Sequence, residues 1–436
     1  MPLFTSEYVF SDDYPTIEPS LKLDFANARA LDPRITFTRA STATYVGANG
    51  LIKTAGVDEA RFDHDPTTGE SLGLLIEEIR TNLLPESEDL TSGLITKLAI
   101  TTSNDAGVIA PDGTAGATRV IQDNTTAQHL IGDTAGGLTL GGNYALSCFV
   151  KAGTTDLVWF SVNSYTNWVD DWNFFINLTT GSVYHNSNNI SSANLKVEEY
   201  PNGWWRLSMV ARQEPAGGGA GGLWLGHANP DLSNSTNFAG DGSTYFYAWG
   251  FQMEAGSFPT SYIPTSGSTA TRAVDDASIT GASFSNFYNP TEGSVYCNYN
   301  RIGLQAPSTT VPTPWGFSDG SFSNSMSLVG GYSIPTNRRF DILVSGSSTA
   351  QLNFTNAETA LTYHKAAVAY KTNDVAGSYN GGSILTDTDT NIPAVNQLCI
   401  GRRDPLSLVD YLNGHIAQLT YYPKRLTNAQ LQTLTQ

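Results

Sequence analysis

The sequence predicts an all-β protein: two tandem β-sandwich domains preceded by an extended N-terminal segment. Three observations lead to this fold class. Charged residues make up only 14% of the 436 residues, and Ser, Thr, Asn and Gly, which favour strands and turns, replace them. Short segments of alternating apolar residues recur along the chain, and clusters of turn residues separate them. The length corresponds to about three domains, which we place at residues 1–90, 91–270 and 271–436.

Residues 1–90 show strand patterns but contain no long apolar run. Leu21, Leu23 and Phe25 alternate with polar residues, and residues 35–39 repeat this period of two, which is typical of a half-buried strand. Residues 73–84 suit either a helix or a buried strand. We therefore expect this first block to dock onto another part of the protein.

Residues 91–270 predict many short strands joined by regular turns, the pattern of a β-sandwich or jelly roll. Alternating apolar side chains indicate strands at residues 144–151, 205–209 and 245–251. The third of these strands is strongly aromatic. Its strict alternation predicts that four large side chains share one face in the core: Tyr245, Tyr247, Trp249 and Phe251.

Residues 271–436 predict a second sandwich that ends in a helix. Strands are indicated at residues 366–371, 398–401 and 411–421, and the Asn-Gly-Gly at residues 380–382 indicates a tight turn. Near the C-terminus, Thr427 and Gln430 match a capping box, and Leu431 and Leu434 supply the apolar face of a helix. The Ser/Thr/Gly run at residues 265–271 is expected to link the two sandwiches.

The charge of the chain narrows the range of partners. Lys and Arg number 23 against 40 Asp and Glu, which gives a formal net charge of −17. Nucleic acids and anionic lipid surfaces bind basic patches, so we expect neither as a partner. The first ten residues have no basic start or apolar centre of a signal peptide, and no run reaches the length of a membrane span. We expect a soluble protein made in a cytoplasm.

The cysteines and histidines do not predict redox or metal chemistry. Cys148, Cys297 and Cys399 cannot all pair, and none lies at a metal-ligand spacing. We expect buried, inert thiols. The six histidines are scattered singly, at positions 64, 129, 185, 227, 364 and 415, so neither a zinc site nor a catalytic triad is predicted.

Two short motifs match catalytic or cofactor signatures but lack the required context. Residues 316–320 (Gly-Phe-Ser-Asp-Gly) match a nucleophile elbow, which needs a strand before the serine and a helix after it. Prolines precede this match and a Ser/Asn run follows it, so an esterase is not expected. Gly217, Gly219 and Gly222 match a dinucleotide-binding loop, but no helix follows them, so no dinucleotide is predicted.

Acidic residues suggest two further kinds of site. Asp387, Asp389 and Asn391 imitate the opening of a calcium loop, but Ile392 and Leu398 replace the glycine and glutamate that an EF-hand needs. A looser Ca²⁺ site lined by oxygen atoms stays an alternative to a solvated turn, and no other cofactor is predicted. A glycosidase needs two carboxylates across a sugar. Adjacent acids on a strand point to opposite faces and share a cleft poorly, which applies to Glu77–Glu78, Asp170–Asp171 and Glu198–Glu199. A catalytic pair formed by acids from distant positions stays an alternative.

One segment combines aromatic and acidic residues in a way that suits sugar binding. Trp168 and Trp172 flank Asp170 and Asp171, and Tyr165 precedes them among polar residues. Flat rings can stack on sugar faces, and carboxylates accept hydrogen bonds from hydroxyls. These five residues are our candidates for a glycan site. The alternative is that the tryptophans fill the sandwich core, as aromatic side chains commonly do.

Three stretches together resemble virion structural and tail-fibre-like proteins of tailed bacteriophages. The first comprises residues 37–45 (FTRASTATY), 50–52, 61–63, 73–78 and 80–84. The second, at residues 202–206 (NGWWR), 247–256 and 258–265, is similar to the closing strands of carbohydrate-binding-module-like jelly rolls in such proteins. The third, at residues 366–371, 380–382 and 414–421 with the terminal helix, looks like a laminin-G or concanavalin-like sandwich.

The resemblance implies a phage virion surface protein, such as a tail fibre, spike or appendage, that contacts host-surface glycans for adsorption. Residues 1–90 would anchor it to other virion proteins, and a homo-oligomer, with a trimer favoured by analogy, would multiply weak sugar contacts. The chain lacks a long fibre shaft, which favours a compact shape. No enzymatic activity is predicted. The alternatives are a head fibre or capsid decoration protein that binds no glycan, and a glycan depolymerase.

Overall fold

The all-β class expected from the sequence is confirmed. The structure, a computed structural model, describes residues 14–162, 173–185, 195–213, 219–229, 237–303, 311–330, 337–406 and 410–436. Regular structure in these ranges is almost entirely strand, with three short α-helices and one 3-10 turn, Pro201–Gly203. None of these helices has the length and apolar character needed to cross a membrane.

The first sixteen strands lie between residues 21 and 185, and a short helix follows the first of them. In chain order they are β1 (Leu21–Asp24), α1 (Phe25–Ala28), β2 (Thr36–Thr38), β3 (Ala43–Val46), β4 (Ile52–Ala55), β5 (Phe62–His64), β6 (Ser71–Ile76), β7 (Arg80–Asn82), β8 (Thr96–Leu98), β9 (Ile100–Ile109), β10 (Ala115–Gln122), β11 (Thr126–Gln128), β12 (Leu130–Gly136), β13 (Asn143–Ala152), β14 (Leu157–Val162), β15 (Asn173–Asn177) and β16 (Ser182–His185).

The remaining strands and two helices complete the chain. They are β17 (Leu195–Tyr200), β18 (Trp204–Arg212), β19 (Ala220–His227), β20 (Asn237–Ala239), β21 (Tyr245–Ala255), β22 (Ala270–Arg272), β23 (Asp276–Thr280), α2 (Gly281–Ser285), β24 (Glu292–Tyr299), β25 (Trp315–Ser318), β26 (Ser325–Gly330), β27 (Arg338–Val344), β28 (Ser347–Phe354), β29 (His364–Lys371), β30 (Val375–Tyr379), β31 (Leu385–Asp387), β32 (Gln397–Ile400), β33 (Gly414–Tyr422) and α3 (Asn428–Thr435).

The chain forms two compact units. The central sandwich consists of residues 39–72 and 79–275, and the C-terminal sandwich consists of residues up to 38, residues 73–78 and residues 276–436. The N-terminal range of 90 residues is therefore divided between the two units. Four of its strands, β1, β2, β6 and β7, pair with strands far along the chain, as expected for segments without a core of their own.

The central sandwich contains two six-stranded antiparallel sheets, ordered β17-β18-β13-β21-β10-β9 and β16-β15-β14-β19-β12-β8. Apolar side chains from both sheets form one core between them. The alternation predicted for β13 is confirmed, because Tyr144, Leu146, Cys148 and Val150 all lie in this core. The hairpin of β3 and β4 contributes Ile52 to a second apolar cluster on the outer face of the first sheet.

Strand β21 changes face part of the way along its length. The register of its pairing with β13 shifts by one residue next to Gly250, which has a φ of 68°. Tyr247 and Trp249 therefore lie in the outer cluster, whereas Phe251 lies in the inner core. The prediction that all four large side chains share one face is wrong, because a bulge of this kind inserts one extra residue into the alternation.

The Ser/Thr/Gly run at residues 265–271 is part of the central sandwich and not a free linker. Ser266 forms a bridge with Glu86, and β22 pairs with β7 immediately afterwards. Residues 73–84, which suited either a helix or a strand in sequence, form parts of β6 and β7.

The C-terminal sandwich also contains two antiparallel sheets. One has the order β31-β30-β29-β24-β33, and β6 and β1 pair with successive parts of the free edge of β33. The other has the order β2-β23-β32-β25-β26-β27-β28. The rings of Phe317 in β25 and Tyr421 in β33 meet edge to face at 5.8 Å, which joins the two sheets.

Helix α3 forms as its capping signal predicts. The Thr427 hydroxyl accepts a hydrogen bond from the Gln430 backbone N–H at 3.2 Å, and the Gln430 side-chain oxygen accepts one from the Thr427 N–H at 3.0 Å. Leu431 and Leu434 are buried against β29 and β30, as expected.

The prediction of buried thiols is also confirmed. All three cysteines are free and buried. Burial raises the pKa of each thiol, that of Cys399 to about 12. Such thiols stay protonated at physiological pH and are poor nucleophiles.

Candidate functional site

The five residues predicted to contact a glycan lie outside the described residues: Tyr165, Trp168, Asp170, Asp171 and Trp172. The strands that flank this segment, β14 and β15, pair antiparallel in one sheet of the central sandwich. The role of the segment stays a prediction.

Ser318 does not occupy a nucleophile elbow. It ends β25, and the chain returns as β26, so a hairpin stands where an elbow needs a helix. The side chain is fully buried, and its hydroxyl accepts hydrogen bonds from Gly320 N at 3.3 Å and Gln397 Nε2 at 3.2 Å. A hydroxyl in this position cannot meet a substrate.

Sheet packing explains Gly222 of the glycine-rich match. Gly222 lies in β19, and a Cβ there would come within 1.9 Å of the Asp133 carbonyl oxygen. A side chain would therefore force the two paired strands apart. Gly217 lies outside the described residues.

The adjacent acidic pairs have structural partners where they are described. Glu198 forms an ion pair with Lys196 at 2.6 Å, and Glu78 accepts a hydrogen bond from Asn413 at 3.1 Å. Glu77 is fully buried. None of the four side chains of the pairs Glu77–Glu78 and Glu198–Glu199 lines the cavity described below.

The candidate calcium loop is a turn held by its own side chain. Asp387 accepts hydrogen bonds from Asp389 N at 3.0 Å and from the Thr390 hydroxyl at 2.9 Å. Asn391 is exposed beside it. In the described part of the chain no three His, Cys, Asp or Glu side chains are grouped to hold a metal. A Ca²⁺ site at this turn stays a prediction.

A cavity of about 590 Å³ lies beside α2 in the C-terminal sandwich. Strand β23 ends at Thr280, and Gly281, with a φ of 57°, turns the chain into α2. This left-handed conformation favours glycine. The walls are formed by α2 with the turn that follows it and by the residues before β32: Thr280, Phe284, Ser285, Tyr288, Val395 and Asn396.

Aromatic rings form one wall of the cavity. Phe284 and Tyr288, one helical turn apart, stack at 4.7 Å with an interplanar angle of 25°. Phe317 packs behind both rings, at 5.8 Å and 5.3 Å. Phe284 is 2% exposed, whereas Tyr288 is half-buried, so the Tyr288 ring is the aromatic surface that a ligand can reach.

A hydrogen-bond network fixes the turn that carries Tyr288. The Tyr370 hydroxyl donates to the Asn289 carbonyl oxygen at 2.7 Å, and Asn289 N donates to the Tyr421 hydroxyl at 2.9 Å. The hydroxyls of Tyr370 and Tyr421 lie 2.8 Å apart. Burial raises the pKa of Tyr288, so its hydroxyl stays neutral. The aromatic wall is therefore rigid and uncharged.

The polar groups that line the cavity are also uncharged. Ser285 and Asn396 are exposed. The Asn396 backbone N–H donates to the Ser318 carbonyl oxygen at 2.9 Å, and this hydrogen bond holds Asn396 in place. Among the described residues that line the cavity, none carries a charge. An aromatic face bordered by hydroxyl and amide groups can bind a neutral ligand that has one apolar face and several hydroxyls.

Sequence reasoning missed this site. Its signal is present, because the segment at residues 284–288 (Phe-Ser-Asn-Phe-Tyr) spaces aromatic side chains three and four apart. The second wall, formed by Val395 and Asn396, lies more than a hundred residues further along, and no local pattern connects the two segments.

Comparison with known proteins gives fold-level similarities only. No family model matches the chain, and no curated protein matches it. Among solved structures it is similar to the Ruminococcus gnavus IT-sialidase CBM40 bound to α2,3-sialyllactose, with 14% identity, a TM-score of 0.28, and coverage of 34% of this chain and 83% of that one.

Two further solved structures are of the same general kind. Domain 4 of an extracellular GH43 arabinanase from Geobacillus stearothermophilus, in complex with arabinotriose, has 15% identity and a TM-score of 0.30, and the match covers 41% of this chain and 82% of that one. Domains LG4-5 of the mouse laminin α1 chain have 10% identity and a TM-score of 0.25, with 72% and 92% covered. Scores of this size add no evidence about a ligand.

Proposed function

We propose that this protein binds neutral glycans in the cavity of its C-terminal sandwich, as a surface protein of a tailed-bacteriophage virion. The observation that carries the glycan proposal is the composition of the cavity. The half-buried ring of Tyr288 faces a space bordered by Ser285 and Asn396, and the described lining residues carry no charge.

The chemistry of a sugar matches this lining. A pyranose ring has a C–H face that packs on an aromatic ring, and equatorial hydroxyls that exchange hydrogen bonds with hydroxyl and amide groups. A volume of about 590 Å³ lies within the usual range for small-molecule sites. A single such contact with a Kd of about 1 mM supplies about −4 kcal/mol, so several copies on one particle would be needed for firm adhesion. We therefore propose a homo-oligomer, with a trimer favoured.

The resemblance to phage virion proteins supports the virion location. The residues that carry this resemblance have a structural role in the central sandwich. The Asp275 carboxylate forms ion pairs with Arg39 Nη1 at 3.0 Å and with Arg61 Nη2 at 2.5 Å, and all three side chains are fully buried. Arg61 Nη1 also donates to Ser261 Oγ at 2.8 Å. The first two motif stretches thus meet in one polar network. These residues stabilise the framework of the central sandwich, and they do not indicate which ligand the protein binds.

We propose binding without cleavage. Glycoside hydrolysis commonly uses two carboxylates across the scissile bond, and no carboxylate is among the described residues that line the cavity. A depolymerase would release oligosaccharide when the protein is incubated with host polysaccharide. That result would replace this part of the proposal.

The glycan proposal is tested on an array of immobilised neutral and acidic oligosaccharides. We expect wild-type protein to bind neutral glycans. Asn396→Ala and Ser285→Ala should each weaken that binding about two- to tenfold, the effect of one lost hydrogen bond. Asn286→Ala is the matched control, because Asn286 is equally exposed on the same turn but does not line the cavity.

Two outcomes would contradict the glycan proposal. The first is that the protein binds no neutral glycan. The second is that Asn396→Ala binds as tightly as the wild type, as the control Asn286→Ala should. The virion proposal is tested separately, by mass spectrometry and immunogold labelling of purified particles. Absence of the chain from particles would contradict it. Labelling of the head combined with a blank array would favour a structural head fibre or decoration protein.

A further inference from the structure

A second aromatic and polar surface lies on the outer face of the first sheet of the central sandwich. In β21, Tyr247 packs in the outer apolar cluster, and Tyr245 lies half-buried at its margin. Tyr247 is paired with Arg119 of β10 on one side and with Lys151 of β13 on the other. Directly paired residues of antiparallel strands share a face, so Lys151, Tyr247 and Arg119 form a row across three strands.

The guanidinium of Arg119 is held in one orientation. Its Cζ lies 4.4 Å from the centroid of the Tyr245 ring and 5.8 Å from that of Tyr247. Its Nη2 lies 2.5 Å from Asp105 Oδ2, and the Tyr247 hydroxyl donates to the same oxygen at 3.0 Å. The ring of Tyr245 can approach the backbone because residue 153 is glycine, where a Cβ would lie 2.5 Å from that ring. A planar cation held against an aromatic ring is preorganised for a carboxylate partner.

The same guanidinium has donors left over. The Arg119 side chain is 34% exposed. Every hydrogen bond that it makes within the described part of the chain runs through Nη2, so the two N–H groups of Nη1 are available to a ligand. Ser103, paired with Arg119 from β9, is exposed beside it. A ligand carboxylate can accept a charge-assisted hydrogen bond from Arg119 Nη1, and the hydroxyl beside it suits a polyhydroxylated ligand.

The local charge differs in sign from that of the whole protein. The surface carries two cations, Arg119 and Lys151, and one carboxylate, Asp105, within a chain of net charge −17. The cavity of the C-terminal sandwich, in contrast, is lined by uncharged residues. A single surplus positive charge suits a monoanion better than a polyanion such as a nucleic acid.

We infer that this surface, formed by Arg119, Tyr245, Tyr247, Lys151 and Ser103, is a second binding site and takes a sugar that bears a carboxylate. The carboxylate accepts from Arg119 Nη1, and the sugar hydroxyls exchange hydrogen bonds with Ser103 and its neighbours. The site lies in a different unit from the cavity and selects a different charge, so either site can fail without the other.

The test is a calorimetric titration of the full chain with methyl β-D-glucuronide and with methyl β-D-glucoside, two sugars that differ only in the carboxylate. We expect the glucuronide to bind at low salt and to weaken as salt is added. Arg119→Gln should weaken its binding about ten- to a hundredfold, the range for a hydrogen-bonded charged group. Arg212→Gln, a matched change at an exposed arginine on β18, should have no effect. Asn396→Ala, which should weaken binding in the cavity of the C-terminal sandwich, should also leave glucuronide binding unchanged.

A third variant distinguishes ligand binding from a structural role of the ion pair. Asp105 competes with a ligand carboxylate for the Arg119 guanidinium, so Asp105→Asn should strengthen glucuronide binding severalfold. Melting temperatures of all variants should match the wild type, because exposed ion pairs contribute little stability. The inference is overturned if Arg119→Gln binds the glucuronide as the wild type does. It is also overturned if Arg212→Gln loses as much as Arg119→Gln, or if Asp105→Asn abolishes binding.

Discussion

Asp133 gives the sharpest test of how the central sandwich is packed. It lies in β12 between Ile131 and Ala135, which both face the core, so the period of two points its carboxyl between the sheets. The residue is 4% exposed. Its Oδ1 accepts from Thr134 N at 2.7 Å, and its Oδ2 is buried without a hydrogen-bond partner in the described part of the chain. Burial, with the nearby charge of Glu86, raises the pKa of Asp133 to about 6.

The direction of the effect on stability follows from this pKa. The ordinary value is 3.8, so between these two pH values the folded protein binds more protons than the unfolded chain. The stabilising contribution is complete below pH 3.8 and is lost as the pH rises through 6. A rise of this size corresponds to about 3 kcal/mol of unfolding free energy. Asp133→Asn removes the ionisation and so avoids the loss.

The assay is urea unfolding, followed by tryptophan fluorescence, at about pH 4 and about pH 7.5. The difference in unfolding free energy between Asp133→Asn and wild type should shift in favour of the variant by about 2 kcal/mol at the higher pH. Asp112→Asn is the control, because Asp112 is a half-buried turn residue that accepts from Thr114 and lies outside the core. A difference for Asp133→Asn that is the same at both pH values would refute the reasoning.

Three more predictions concern buried groups. Burial lowers the pKa of His227 to about 4, so the stability that it contributes is present above its ordinary 6.5 and is lost as the pH falls through 4; His227→Gln should reduce that loss by about 3 kcal/mol in urea titrations. Asp275→Ala should destabilise the protein by about 3–5 kcal/mol, seen as a lower melting temperature, because two buried guanidinium groups lose their shared carboxylate. The thiols of Cys148, Cys297 and Cys399 should not react with a disulfide reagent until the protein unfolds, and native-state reaction would contradict their burial.

Local pattern was sufficient for strands that bury one face. The period of two placed Tyr144, Leu146, Cys148 and Val150 correctly, and the capping box placed α3, because both signals arise within a few residues. It failed at β21, where one glycine in a left-handed conformation moves the side chains that follow it to the opposite face. A count of alternating residues does not detect a bulge.

Long-range pairing was beyond the reach of the sequence. Leu21 pairs with Tyr421, four hundred residues away, so the pattern of β1 predicts a strand but not the sheet that receives it. The cavity has the same origin, since Tyr288 and Asn396 come together only when α2 and the segment before β32 are folded. The predicted glycan segment at residues 165–172 lies outside the described residues, so it and the cavity stay separate candidates.

The central claim is that a neutral sugar binds in the cavity beside Tyr288. The most direct measurement is a crystal structure of the full chain soaked with the neutral oligosaccharide that binds best on the array. We expect a sugar ring packed on Tyr288, with hydroxyls hydrogen-bonded to Ser285 and Asn396. An ordered sugar bound at another place, with none in the cavity, would show that the cavity is not the binding site.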